Sequence, residues 1–289
     1  MKRPKSRSAL HPHQRGTASL VVQLAVLIGS VSRAAEFPTL QPERPHEQLG
    51  RQAVTVAVQD PQGLALGSGI LLVAGQGGDW MVTNRHVLQT LPMVCVITAD
   101  QRAQPGQVHP GPEGWADLDL ALVWLPRPGL QPPRPVASVV ALASVDPLSP
   151  VVATGYPVEG KPSAPRQPYQ EVPGLLVPLL QAPLREGFDL SYTAAVQKGM
   201  SGGGVFVGDK LIGLNGVHPD PLWQGEWQRP NRTAVGERLN RQLELVALGL
   251  SSRYLLPLLD PAQTLMPPAA MQGGTPTCQP SAEPSTHSF

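Results

Sequence analysis

From Ala53 onward the chain breaks into short apolar or alternating runs separated by Gly, Pro and Asp. VTVAV (54–58), GILLV (69–73), WMVT (80–83), VCVIT (94–98) and LDLALVWL (118–125) follow one another at close spacing. Short runs of this kind, rich in β-branched residues and bounded by turn formers, predict strands. No helical period is sustained in this half. The stretch RPGLQPPRP (127–135) has too many prolines to pair as a central strand and reads as an extended linker. Strand-like runs then resume with VASVVALA (136–143), VVATGY (151–156), LSYTAAV (190–196), GVFV (204–207) and KLIGLNGV (210–217). Two groups of short strands joined by such a linker predict an all-β chain of two packed antiparallel barrels, about 50–126 and 136–250. Between Val158 and Gly187 lies a proline-containing loop, and loops of that length tend to be functional or mobile. Ser251-Ser252 before RYLLPLL predicts one short C-terminal helix, limited by Pro257. Residues 261–289 lack periodicity and read as a disordered tail, which leaves 46–260 as the folded domain.

Composition changes this picture chiefly at the amino terminus. The formal charge of +1 hides an asymmetry, because six of the 22 basic residues precede the first acidic one, Glu36. Without the first 34 residues, 16 basic face 21 acidic residues, a net of −5, and no electrostatic footprint for nucleic acid remains. The basic segment leads into a 14-residue apolar run, Ala18 to Val31, followed by the small residues Ser32 and Ala34. A spanning helix needs about 20 apolar residues, so 1–34 reads as a signal peptide and the protein as exported. If Arg33 blocks the peptidase, the same segment becomes a membrane anchor. Of the two cysteines, Cys95 falls in a buried-looking strand and Cys278 in the tail. A bridge between them is therefore not expected, and Cys95 reads as a core filler.

Three runs carry candidate chemistry: VTNRHVL with His86, DLDLALV with Asp119, and KGMSGGG with Ser201. Each is unremarkable alone. Together they hold what a serine nucleophile requires. A serine hydroxyl needs an adjacent base, and histidine, with a pKa of about 6.5, takes and returns a proton near neutrality. A carboxylate on the far ring nitrogen then fixes the tautomer. The three occur in the order His, Asp, Ser, at intervals of 33 and 82 residues. The seven histidines show no metal-binding spacing, and neither a metal nor a cofactor is expected.

TNRHV, DLALV and GMSGG, with GSGILL (67–72), ATGYP (153–157) and LIGLNG (211–216) around them, resemble the trypsin-like serine proteases, especially the bacterial HtrA-type branch. The resemblance covers roughly 50–260 and implies two six-stranded β-barrels with an active site in the cleft between them. It implies His86, Asp119 and Ser201 as a catalytic triad, the backbone N–H groups of Gly199 and Ser201 as an oxyanion hole, and a protein or peptide substrate. For substrate binding it points to Ala195, Lys198, Leu214, Asn215 and Gly216. Ala195, at the base of the primary specificity pocket, offers no carboxylate to Arg or Lys. Small Gly216 and apolar Leu214 would leave the pocket walls open to a small or medium apolar side chain, while Lys198 and His218 could instead attract an acidic one.

Departures from the family pattern are informative. Met200 stands where digestive members carry the aspartate that receives a new amino terminus on zymogen cleavage. Leu214 aligns with a serine that supports the catalytic aspartate, so other groups must hold Asp119. Only the short tail follows the protease region, so peptide recruitment through a PDZ domain is not expected. A G-x-S-x-G elbow of an α/β-hydrolase also matches 199–203, but parallel βαβ periodicity is lacking. The non-enzyme alternative is a protease-fold binding or chaperone-like protein with little proteolytic activity.

Overall fold

The computed structural model describes residues 45–127, 129, 131–158, 168–217, 226–260, 265–268 and 277–278. The expected signal segment, 1–34, lies outside them. Six strands close the first barrel: β1 (Thr55–Gln59), β2 (Ala65–Gly75), β3 (Gly78–Thr83), β4 (Met93–Ile97), β5 (Ala103–His109) and β6 (Ala121–Pro126), in the order β1-β2-β3-β6-β5-β4. The second half holds β7 (Ser138–Val139), β8 (Pro150–Gly155), β9 (Gln170–Leu175), β10 (Leu190–Tyr192), β11 (Gly204–Val207), β12 (Lys210–Val217) and β13 (Ala247–Ser251). They run in the order β10-β13-β12-β11-β8-β9, with β7 parallel to β12. A Leu176–Tyr192 bridge brings the two ends of this curled sheet together. The result is a chymotrypsin-like double β-barrel.

Strand alternation explains why several runs are apolar on both faces. In β6, Ala121, Val123 and Leu125 fill the first barrel, whereas Leu122 and Trp124 join the seam between barrels. In β2, Leu71 points into the barrel and Ile70 and Leu72 into the seam. The second half contributes Phe206, Leu211, Leu214, Leu248 and Leu250 to that seam. A core separate from it, with Ala153, Tyr192, Met200 and Val205, fills the second barrel.

Three strands went unforeseen, β5, β9 and β13, and the first two each contain a proline. Pro105 lies in β5 opposite Cys95 of β4, but β5 meets β6 only over Gln107–His109, so no second ladder needs its N–H. Pro173 lies in β9, which occupies part of the expected 158–187 loop and, among the described residues, has a ladder only with β8. A helix, α1 (Pro45–Val54), also precedes β1. Its buried Arg51 reaches the second half, pairing bidentately with Glu171 (3.1 and 2.7 Å) and donating to the Gly208 carbonyl at 2.8 Å. Tyr169 donates to the same carboxylate at 2.5 Å, and burial together with that anion pushes its phenol pKa up. The linker is tied down similarly. Arg127 and Arg134 both bond the buried carboxylate of Asp79 in β3. The short turn α2 (Arg85–Leu88) follows β3, and α3 (Glu237–Leu243) precedes β13. At the C-terminal side the expected helix is instead two 3₁₀ turns, Ser252–Tyr254 and Leu256–Leu259. Ser251 does not cap them, because its hydroxyl donates to Asp189 at 2.7 Å.

One expectation is overturned. Cys95 and Cys278 form a disulfide, with Cα atoms 5.7 Å apart. Val94 and Val96 line the barrel interior, so alternation turns Cys95 outward, where the tail can reach it. Uniform burial along VCVIT conceals that outward step.

Two predictions follow from these ties. Reduction, or Cys278→Ser, should lower unfolding stability by up to about 5 kcal/mol, the loop-entropy value for a cross-link of this span, read by denaturant titration with and without reductant. Arg51→Met should cost about 3–5 kcal/mol, because it strands the Glu171 carboxylate. Adding Glu171→Gln should recover part of that loss in the same titration.

Candidate active site

The pairing of β3 with β6 positions the first two residues. Thr83 lies opposite Ala121 at the end of that ladder, so the chain leaving β3 and the chain entering β6 run side by side. Asn84 then starts α2 in an extended conformation. Val87 and Leu88 drop into the first barrel core, which turns His86 outward on the same turn, with its side chain 48% exposed. Asp119 sits two residues before β6, between Leu118 and Leu120, both packed at the seam.

His86 and Asp119 meet twice. The ring Nδ1 lies 2.7 Å from Asp119 Oδ2, and the His86 backbone N–H donates to Oδ1 at 2.9 Å. Both carboxylate oxygens are thus engaged by one residue, which fixes the ring orientation and favours the Nδ1–H tautomer. The Asp119 main chain is held independently. Its N–H donates to the Glu186 carbonyl at 2.9 Å, and the Asn84 side chain donates to its carbonyl at 3.0 Å. These are the groups that hold Asp119. Leu214, the residue aligned with a supporting serine, is instead fully buried in the seam core.

Ser201 lies in the loop 197–203, between β10 and β11, and each peptide plane around it is held. Val158 N–H donates to Lys198 O at 2.8 Å, and Met200 N–H to Gln197 O at 3.0 Å. The Ser68 hydroxyl donates to Gly199 O at 2.8 Å. Met200 O accepts from Gly203 N–H at 3.0 Å and from the Asn215 side chain at 3.1 Å. Ser201 O accepts from Ser68 N–H at 2.9 Å. Among the described residues, the N–H groups of Gly199 and Ser201 have no acceptor. Gly199 has φ +92°, and a Cβ there would stand 2.7 Å from both Tyr156 O and Val158 N, so only glycine fits this turn. The Ser201 hydroxyl donates to Gly216 O at 3.0 Å, and among the described residues it makes no hydrogen bond to His86.

The five residues expected to bind substrate divide into two sets. Ala195, just before the loop, and Lys198, within it, are exposed. Gly216 packs against Phe188, whose ring would lie 2.3 Å from an added Cβ. Leu214 and Asn215 are buried, at 0% and 1% exposure. Strand β12 is covered on both faces, by the seam core and by the second barrel. Asn215 is used internally, donating to Thr154 O and Met200 O and accepting from the Tyr192 hydroxyl at 2.7 Å. His218 lies outside the described residues. A cavity of about 330 Å³ adjoins the site from the side of Arg85, Leu118 and Glu186, and no residue of the Ser201 loop lines it.

Sequence reasoning missed Ser68, Asn84 and Glu186, which support the site. Ser68 lies within GSGILL and Asn84 within TNRHV, so both were in view without a role. Glu186 acts through its carbonyl, for which a side-chain pattern holds no signal.

A family model described as trypsin-like peptidase domain matches residues 67–214. No curated protein matches the chain. Among solved structures, the HtrA-type protease AlgW with a tripeptide superposes with a TM-score of 0.53 at 15% identity. That match covers 74% of this chain and 61% of the other, so the chain spans about three fifths of that structure. At such identity the likeness speaks for the double-barrel fold. Taken with the family match over half of its length, it places the chain in the trypsin-like peptidase domain family.

Proposed function

We propose that the protein is a serine endopeptidase that hydrolyses peptide bonds through a Ser201 acyl-enzyme. The observation that carries this reading is the double contact of Asp119 with His86, 2.7 Å to the ring and 2.9 Å to the backbone, beside a serine loop with two amides that are unengaged among the described residues. In this mechanism Ser201 leaves Gly216 O, gives its proton to His86 and attacks the substrate carbonyl. The carbonyl oxygen gains negative charge and is received by the N–H groups of Gly199 and Ser201. His86 then passes the proton to the departing amine, and water reverses the sequence to release the acid. Asp119 orients the ring and stabilises the imidazolium without taking the proton.

The tripeptide bound to AlgW supports a peptide substrate here. Exposed Ala195 favours a small or medium apolar residue on the acyl side of the cut, since it supplies no carboxylate for Arg or Lys. We also propose export from the cytoplasm. The amino-terminal pattern supports it, as does the Cys95–Cys278 disulfide, a bond that persists in oxidising compartments.

Purified wild-type protein should be labelled by a fluorophosphonate probe and should cleave peptide amides, while Ser201→Ala should do neither. Absence of both in the wild type would favour the binding-protein alternative. Asp119→Asn should retain the fold by circular dichroism and lose roughly 10⁴-fold in kcat through the wrong histidine tautomer. Proteomic mapping of cleavage sites should return small or medium apolar residues before the scissile bond. A majority of Arg or Lys there would refute the Ala195 argument.

A further inference from the structure

We propose that Ser68 is a positioning residue that sets the oxyanion loop from the opposite barrel, an inference that rests on the peptidase reading above. Ser68 lies in β2, fully buried, and belongs to the first barrel, whereas the loop it holds belongs to the second. It makes three contacts with the second half, two of them to the loop. Its hydroxyl donates to Gly199 O at 2.8 Å and accepts from Tyr156 N–H at 2.9 Å, and its own N–H donates to Ser201 O at 2.9 Å. One residue thus grips the carbonyls on both sides of Met200.

Geometry gives these contacts their consequence. The oxyanion donors are the amides of Gly199 and Ser201, in the peptides 198–199 and 200–201. The peptide 199–200 joins them, so its plane sets the angle between the two donors. That plane is pinned at two points, Met200 N–H on Gln197 O and Gly199 O on the Ser68 hydroxyl. Gly199 has no side chain to resist rotation, so without the hydroxyl the Gly199 end of the plane loses its tether. No aspartate precedes Ser201 to order this loop through an ion pair. Met200 occupies that place with its side chain fully buried in the second barrel core. In this chain Ser68 orders the loop in the folded state, and no cleavage step is required for it.

The test compares full-length wild type, Ser68→Ala and Ser68→Cys, the last keeping the shape of the side chain with a somewhat larger, weakly donating atom. Competent sites are counted by fluorophosphonate titration, and kcat and KM are measured per titrated site on a chromogenic peptide amide. Inhibition by a peptide boronate, whose tetrahedral adduct occupies the oxyanion hole, supplies a second readout. Ser68→Ala should lose about 10- to 100-fold in kcat per titrated site, less than deletion of an oxyanion donor itself. KM should stay within about threefold, and boronate affinity should fall in parallel with kcat/KM, because the lost interaction acts in the transition state. Ser68→Cys should fall between the two, and it carries the comparison if the alanine variant does not fold. A variant that melts earlier yet keeps wild-type kcat per titrated site and boronate affinity would overturn the proposal, leaving Ser68 a stabilising residue. Wild-type protein that neither labels nor cleaves would overturn the peptidase reading, and this inference with it.

Discussion

The seam between the barrels is the constraint on which the site depends. His86 and Asp119 belong to the first barrel and Ser201 to the second, so their mutual placement is only as good as the packing that fixes one barrel on the other. Ile70, Leu72 and Leu122 from one side and Phe206, Leu214 and Leu250 from the other supply that packing. Protein interiors are close-packed and transmit displacement, so a repacked seam would move the two halves of the site apart. The same strands serve the barrel interior with their alternate residues, which is why β2 and β6 are apolar throughout.

Polar contacts refine what the seam positions coarsely. Arg51 joins α1 to β9, Asp79 gathers the two linker arginines, and Ser68 and Asn215 hold the loop of Ser201 from the two barrels. All are buried, and a buried polar group without a partner is costly, so each arrangement tolerates few alternatives. Directional bonds fix an angle where apolar packing fixes only a distance. The serine loop, whose amides must converge on one point, is accordingly held by several such bonds.

His86, Asp119 and Ser201 were legible because their neighbours are short contiguous runs in a telling order. The His86–Asp119 contact follows from one ladder, Thr83 opposite Ala121, which extends the logic of the flanking strands. Strands β5 and β9 were hidden by Pro105 and Pro173, since the missing N–H matters only where a second strand would accept it. That neighbour cannot be read from local sequence. Helix α1 was hidden for a related reason, because its docking depends on Arg51 meeting a carboxylate 120 positions away.

By itself the sequence determined the β-rich architecture, its division by a proline-dense linker, and the three runs that hold the candidate chemistry. All of these are properties of local pattern and order along the chain. Only the tertiary structure decided which way Cys95 faces and that Cys278 bonds it, that Leu214 and Asn215 turn inward, and that Ser68 reaches across to Gly199. Each of these is a matter of which distant segment covers a given face. Strand periodicity assigns a residue to one of two faces, but the partner on that face is chosen by the closing of the barrels and their packing across the seam.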